Sequence, residues 1–255
     1  MNFHFLFEQS GTFKSVFKSF GHNCYDYDIL NEHGETDFVV DLFKEIETEY
    51  DNIIERKGKK TIFTDMTKEN DFIIAFFPCT HFCDANSLQY RLLIGGKKRE
   101  LDKVAVERLI KRNRDRARFF EVYLKFCFIC KEKGIRTIIE NPASGGGNNY
   151  LEVFSPIDIA WKEKNRALFG DDFKKPTNYF AINFVMEETF YMFCDNNIAT
   201  KKIYDIQSKN VSTGGRSIIT KNYAKNFYLR FIKNNIKGVR SGAFSEINQN
   251  ACGLK

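Results

Sequence analysis

Apolar and polar positions change period several times between residues 3 and 77. Phe3, Phe5 and Phe7, with His4 and Leu6 between them, predict a short apolar strand that stops at Glu8-Gln9-Ser10-Gly11. Phe13, Val16, Phe17 and Phe20 then fall at helical spacing, and Gly21 supplies a C-terminal stop. Asn23 to Ile29 predicts a second strand, ending in the acid Asp28. Strand, Gly-containing turn, helix, strand is a βαβ unit. Further strands are predicted at Phe38-Val39-Val40, ending in Asp41, and from Phe72 to Phe77, ending in Pro78-Cys79.

The longest helical pattern lies between Leu101 and Lys131. Val106, Ile110, Ala117, Phe120, Leu124 and Cys127 recur at threes and fours, with Arg108, Arg112 and Arg116 on another face. Gly134 ends it, and Thr137-Ile138-Ile139 predicts a fifth short strand before Glu140-Asn141-Pro142. Weak periodicity over 143–180 predicts loops with short pieces. Strands are expected at 179–185 and 189–194, and a last helix at 221–233, where Tyr223, Phe227 and Phe231 are four apart. Residues 234–255 read as a loose tail after a single domain at 1–233. Strands alternating with helices predict an α/β fold with a doubly wound, mostly parallel sheet and a small C-terminal lobe.

The chain has 255 residues, 43% of them hydrophobic and 15% aromatic, which supports a sizeable core and excludes global disorder. Phe is heavily used, yet no apolar run approaches the ~18 residues of a membrane span. The start, MNFHFLFEQSG, does not read as a secretory signal. Seven scattered cysteines fit a reducing compartment, so a soluble, cytoplasmic protein is expected. Charge is segregated: residues 1–50 carry −7, residues 97–118 carry +6 and residues 201–240 carry +9. The two basic segments could face a polyanion such as DNA, although solvated basic helices are the commoner meaning of such a pattern.

In an open parallel sheet, ligands collect beyond the carboxyl ends of the strands. The first strand delivers Ser10-Gly11-Thr12 there, just ahead of a helix N-terminus. The second delivers Asp28, 17 residues after Gly11 and suited to a ribose diol. Asp41, Pro78-Cys79-Thr80 and Glu140-Asn141-Pro142 follow on later strands. Taken singly, a glycine after a strand is more often a plain turn, and a strand-end carboxylate more often a cap.

In combination they say more. Ser10-Gly11-Thr12-Phe13, then Phe17 to His22, then Tyr27-Asp28-Ile29 resembles the cofactor-binding start of S-adenosylmethionine-dependent cytosine-5 DNA methyltransferases, closest to their compact phage-type relatives. Pro78-Cys79-Thr80 with Phe82 is similar to that family's Pro-Cys nucleophile loop, and Glu140-Asn141-Pro142 to its Glu-Asn motif. Ala167 to Gly170 with Lys174 to Asn178, and Gly215 to Ile219, also resemble segments of the compact relatives. The resemblance runs in order from about residue 5 to about residue 232.

The resemblance implies a methyltransferase variant of a Rossmann-like fold, with S-adenosylmethionine as cofactor. Cys79 would be the nucleophile and Glu140 the acid, with Asn141 and Pro142 shaping the Glu140 loop. A thiolate adding to ring carbon 6 of cytosine, while a carboxylic acid protonates ring nitrogen 3, turns an electron-poor ring into a nucleophilic enamine. Burial of Glu140 beside a stacked base would favour the protonated donor. On the cofactor side the resemblance places Asp28 and Ile29 at the ribose, Asp41 at the adenine amino group, and Ser10, Gly11, Thr12 and Phe13 with Pro78 around the methionine half. Thr80, Pro142 and Arg216 would face the substrate, and Arg166 or Lys175 would bring positive charge to the base.

Residues 143–215 would be a reduced recognition lobe, which leaves sequence readers scarce and phosphate contacts to segments 97–118 and 201–240. A free pyrimidine nucleotide is the alternative substrate, and a degenerate fold that only binds nucleic acid is the alternative class. Cys79-x3-Cys83 and Cys127-x2-Cys130 have the look of a four-thiolate zinc site. However, Cys127 and Cys130 fall inside an apolar helix, so no metal is expected. A Cys79–His81 hydrolase pair is disfavoured because neighbours on a strand-end loop seldom point at each other.

Overall fold

The computed structural model describes residues 1–83, 90, 93–94, 97–98, 100–144, 149–189 and 219–236. In chain order the elements begin with β1 (Asn2–Leu6), α1 (Thr12–Ser19), β2 (Asn23–Asp28), β3 (Phe38–Val39), α2 (Leu42–Glu55) and β4 (Asp71–Phe76). A small antiparallel hairpin, β5 (Leu93–Ile94) and β6 (Lys97–Lys98), precedes the 30-residue helix α3 (Lys103–Glu132). Then come β7 (Arg136–Pro142), α4 (Tyr150–Phe154), β8 (Ile159–Glu163), a 3-10 turn at Arg166–Phe169, β9 (Thr177–Ile182) and α5 (Lys221–Phe227), which continues as a π-helical turn through Ile232.

Seven strands form one sheet in the order β3-β2-β1-β4-β7-β9-β8. The first five are mutually parallel, while β9 runs antiparallel to both β7 and β8. This is an α/β fold with a mixed sheet, of a generic Rossmann-like arrangement. Central parallel strands are covered on both faces, which is why β1 and β4 are apolar nearly throughout. Side chains of one parity, Phe3, Phe5, Phe72 and Ile74, pack with Phe13 and Phe17 of α1 and with Tyr223 and Phe227 of α5. The other parity, Leu6, Ile73 and Ala75, packs with Ile46 of α2 and with Val122, Phe126 and Cys130 of α3.

Two segments depart from the sequence expectation. Helix α2 was not anticipated, because charged residues crowd its sequence and hide an apolar stripe of Leu42, Ile46 and Tyr50. Residues 143–180, expected to be loops with short pieces, contain β8 and the start of β9, which complete the edge of the sheet. The strand expected at 179–185 begins earlier, at Thr177, and ends at Ile182. The strand expected at 189–194, most of the basic segment 201–240 and the tail 234–255 lie largely or wholly outside the described residues. Among the described residues no helix is long and apolar enough to cross a membrane.

From β1 the chain winds outward to β2 and β3, then returns to the opposite side of β1 at β4. That reversal leaves a crevice beyond the carboxyl ends of β1 and β4, where open α/β sheets hold their ligands.

Candidate active site

A cavity of about 710 Å³ opens at that crevice, a size suited to a nucleoside-scale ligand. Its walls include Glu8 and Ser10 after β1, Asp28 and Ile29 after β2, Asp41 at the start of α2, Pro78, Cys79 and Thr80 after β4, Glu140 on β7 and Lys175 before β9. Nine residues expected from sequence at the site therefore share one cavity: Ser10, Asp28, Ile29, Asp41, Pro78, Cys79, Thr80, Glu140 and Lys175.

Strand register brings the sulfur and the carboxyl together. Phe76, three residues before Cys79, is the cross-strand partner of Glu140, so two residues 61 positions apart in the chain come to neighbouring strand ends. Asn141 ties the two ends, donating from Nδ2 to the Phe77 carbonyl at 3.3 Å. Asn149 Nδ2 in turn donates to Asn141 Oδ1 at 3.3 Å and to the Pro142 carbonyl at 2.6 Å. Asn141 and Pro142 accordingly shape the loop without lining the cavity.

Glu140 is buried, and Oε1 stands 3.5 Å from Arg166 Nη1 and 3.6 Å from Lys175 Nζ without a hydrogen bond to either. The two candidate cations thus play different parts. Lys175 borders the cavity. Arg166 does not: it is 1% exposed, pairs through Nη2 with Asp171 Oδ2 at 2.5 Å, and has its guanidinium 4.5 Å from the Tyr223 ring centroid. Arg166 therefore stands behind Glu140, between two buried carboxylates and off the cavity wall.

The Cys79 thiol is pushed upward, first by a hydrogen bond with Cys83 and then by burial, while the Lys175 ammonium opposes both. Phe82 and Cys83 donate their amides to the Cys79 carbonyl at 2.9 and 3.0 Å, closing a tight turn under the sulfur. The neighbouring His81 bonds through Nδ1 to the Tyr90 hydroxyl at 2.8 Å and packs on Phe119. Cys127 and Cys130 lie on the buried face of α3, in the core. Among the described residues no three His, Cys, Asp or Glu side chains gather as a metal site.

On the opposite wall, Asp28 Oδ1 accepts from the Leu30 amide at 2.8 Å, and burial raises its carboxyl above the usual range. Asp41 Oδ1 accepts from the Phe43 and Lys44 amides at 3.1 and 3.3 Å, so Asp41 is first of all the N-cap of α2. Gly11 has φ +66°, and a Cβ there would lie 2.9 Å from Glu35, so its glycine is required by the turn and by the Glu35 side chain over it. Thr12 is buried, and Phe13 turns into the core against Phe17, Phe76 and Phe227. Gly11, Thr12 and Phe13 therefore do not line the cavity. Arg216 lies outside the described residues.

Sequence reasoning missed Glu8, Phe43 and Phe119, all of which line the cavity. Glu8 carried a signal, an acid directly beyond an apolar strand, but it read as a strand stop. Phe43 belongs to the unanticipated α2, and Phe119 to the face of α3 that packs with Val122, Tyr123 and Phe126, whereas Val106, Ile110 and Leu124 of the stripe expected from sequence are exposed. Comparison with protein-family models finds no match for the chain, and neither does comparison with curated proteins.

Proposed function

We propose that this protein transfers a methyl group from S-adenosylmethionine to carbon 5 of cytosine in DNA, through a covalent cysteine adduct. The observation that carries the reading is the shared cavity: a thiol after β4 and a buried carboxyl on β7 face one crevice that also holds strand-end carboxylates after β1 and β2. The finer fold assignment, a methyltransferase variant of the Rossmann-like sheet, belongs to the same reading, and the reversed β9 between β7 and β8 fits it.

The residues present fit the methyl donor. Asp28 keeps carboxylate capacity beyond its bonds to the Leu30 and Ile29 amides, as a ribose diol requires, and the cavity is large enough for a nucleoside with an extended side chain. When bound, the donor supplies an electrophilic methyl group on a cationic sulfur. The chain's own residues do the rest. Cys79 Sγ gives up its proton to water and forms a bond to ring carbon 6 as the carbon 5–carbon 6 π bond opens. Glu140 holds a proton at ring nitrogen 3, so the electron pair displaced by sulfur resides at carbon 5. After methylation a water molecule takes the carbon 5 proton, the 5,6 double bond re-forms, the Cys79 sulfur leaves as thiolate and the nitrogen 3 proton returns to Glu140. Lys175 faces the same space and favours the thiolate. Phe119, Phe76 and Phe77 give the cavity apolar walls that limit water.

DNA is favoured by α3. Its first half is mostly exposed, with Lys103, Lys111 and Arg114 in solvent on the helix that leads towards Phe119. A cytosine must leave its stack to reach a thiol in such a crevice.

The test is incubation with methyl-tritiated cofactor and a panel of duplex DNA, single-stranded DNA, RNA and free cytosine nucleotides. Label in 5-methylcytosine of DNA, lost in Cys79→Ser, is the expected result. Label confined to free nucleotide moves the substrate assignment, and label in no base overturns the proposal.

A further inference from the structure

The turn that carries Cys79 holds a second sulfur against the first. Phe82 and Cys83 both donate their amides to the Cys79 carbonyl, at 2.9 and 3.0 Å. The second of these bonds closes one helical turn, in which the two Cα atoms lie about 6 Å apart with their side chains on one face. That separation is within the reach of a disulfide. The two thiols are already hydrogen-bonded to each other.

Packing on both sides of the turn keeps the sulfurs together. The Phe82 ring is buried and stacks on Phe77 and on Tyr150. Its carbonyl accepts the Tyr150 amide at 3.0 Å, which fastens the turn to the start of α4. Access sets this pair apart from the other described cysteines. Cys79 and Cys83 are half-buried and Cys79 borders the cavity, whereas Cys24, Cys127 and Cys130 are buried. Cys127 and Cys130 are also near neighbours, three residues apart on the core face of α3, but they are sealed from solvent.

We propose that Cys79 and Cys83 form a reversible disulfide site, closed by a small-molecule disulfide such as glutathione disulfide, and that closure takes the Cys79 sulfur out of the reaction. The bond stands on the geometry of the turn; its effect on catalysis rests on the methyl-transfer reading above. The Cys79 thiol loses its proton to water, with the Lys175 ammonium favouring the thiolate, and the sulfur attacks one sulfur of glutathione disulfide. The oxidant's S–S bond breaks, and one glutathione leaves as thiolate and takes up a proton. Cys83 then gives its own proton to water, attacks the Cys79 sulfur and expels the second glutathione in the same way. Two protein thiols are oxidised by two electrons, and glutathione disulfide is reduced to two glutathione molecules. Excess dithiol runs the exchange backwards. In the closed form Cys79 has no thiolate to offer a pyrimidine ring, and the disulfide is recoverable where a sulfinic acid at Cys79 would not be.

The test is peptide mass spectrometry on the full chain after exposure to excess glutathione disulfide, with remaining thiols trapped by N-ethylmaleimide in denaturant. Residues 69–91, between Lys68 and Arg91, form one tryptic peptide whose two cysteines are Cys79 and Cys83. The expected product is that peptide unlabelled and two hydrogen atoms lighter, converted by dithiothreitol to the doubly labelled form, while Cys127 and Cys130 stay reduced. In Cys83→Ala the peptide should instead keep a glutathione on Cys79, because no second thiol resolves it. Two labels in the oxidised wild type, or a wild type that stops at the glutathione adduct, overturns the proposal. Equal oxidation of Cys127 and Cys130 overturns it by assigning the reaction to unfolded chain. Methyl transfer read on the same samples should fall with the closed fraction and return on reduction; transfer undiminished in the closed form overturns the effect on catalysis. A chain that closes the bond yet transfers no methyl group when reduced overturns the methyl-transfer reading and leaves the disulfide standing.

Discussion

Arg166 and Glu140 meet inside the protein, Nη1 to Oε1 at 3.5 Å, with both side chains almost wholly buried. Arg166 also holds Asp171, so one guanidinium stands between two buried carboxylates. The carboxyl that faces the cavity is thereby fixed from behind, with Lys175 at its open side.

Removing that guanidinium should be costly. Arg166→Met leaves Asp171 buried without its cation and Glu140 with Lys175 alone, for an expected loss of about 3–5 kcal/mol in urea unfolding. Arg166→Lys keeps the charge but loses the fork that reaches both acids, so a smaller loss with slowed methyl transfer is expected. Unchanged stability in Arg166→Met would show that the pair contributes nothing.

Cys79 reactivity should move in opposite directions with its two neighbours. Cys83 is the largest cause holding the thiol up, and Lys175 acts to lower it. At fixed pH, Cys83→Ala should therefore speed alkylation of Cys79 by iodoacetamide. Lys175→Met should slow it and shift the rate profile to higher pH. Peptide mass spectrometry reads the Cys79 site separately from the other thiols.

Asp71 anchors the amino ends of β1 and β4. Burial alone would raise its carboxyl, but bonds from His4 Nε2 at 2.8 Å, the Thr67 amide at 2.8 Å and Asn2 at 3.0 Å outweigh it and bring it down to about 2. Its unfolded value is about 3.9, so the folded state is favoured at neutral pH by about 2 kcal/mol, lost as pH falls from about 4 to 2. Asp71→Asn should be less stable than wild type by about that amount at pH 7, and the gap should close in acid. A gap independent of pH would mean that charge is not what Asp71 contributes.

Asp41 has two roles that substitution can separate. As N-cap of α2, its replacement by Ala should cost about 1 kcal/mol in thermal or urea unfolding, while Asp41→Asn, which still caps, should cost little. If its charge also meets the donor's adenine amino group, Asp41→Asn weakens donor binding without loss of stability. Equal affinity in wild type and Asp41→Asn removes Asp41 from the ligand.

Much of the architecture was legible because burial leaves simple patterns. Phe3 to Phe7 and Phe72 to Phe77 read as strands from apolar content alone, and α3 read as a helix from spacing at threes and fours. Helix α2 was not legible, since an apolar stripe among many acids resembles a solvated segment until a core is present to receive Ile46. β8 was equally hidden, a short strand within a stretch of weak periodicity. β9 was legible from Tyr179 onward, but its start at Thr177 is set by backbone pairing with β7.

The sequence by itself determined the alternation of strands and helices and the residue types at strand ends: an acid after β2, a thiol after β4, a carboxyl on β7. Periodicity and local turn chemistry are enough for that, because they depend on neighbours in the chain. Which of those groups share a cavity, and that Arg166 stands behind Glu140 while Lys175 stands in front, was decided by the tertiary structure. These relations depend on the register of strands far apart in sequence and on which charges are buried together, and no local pattern carries either.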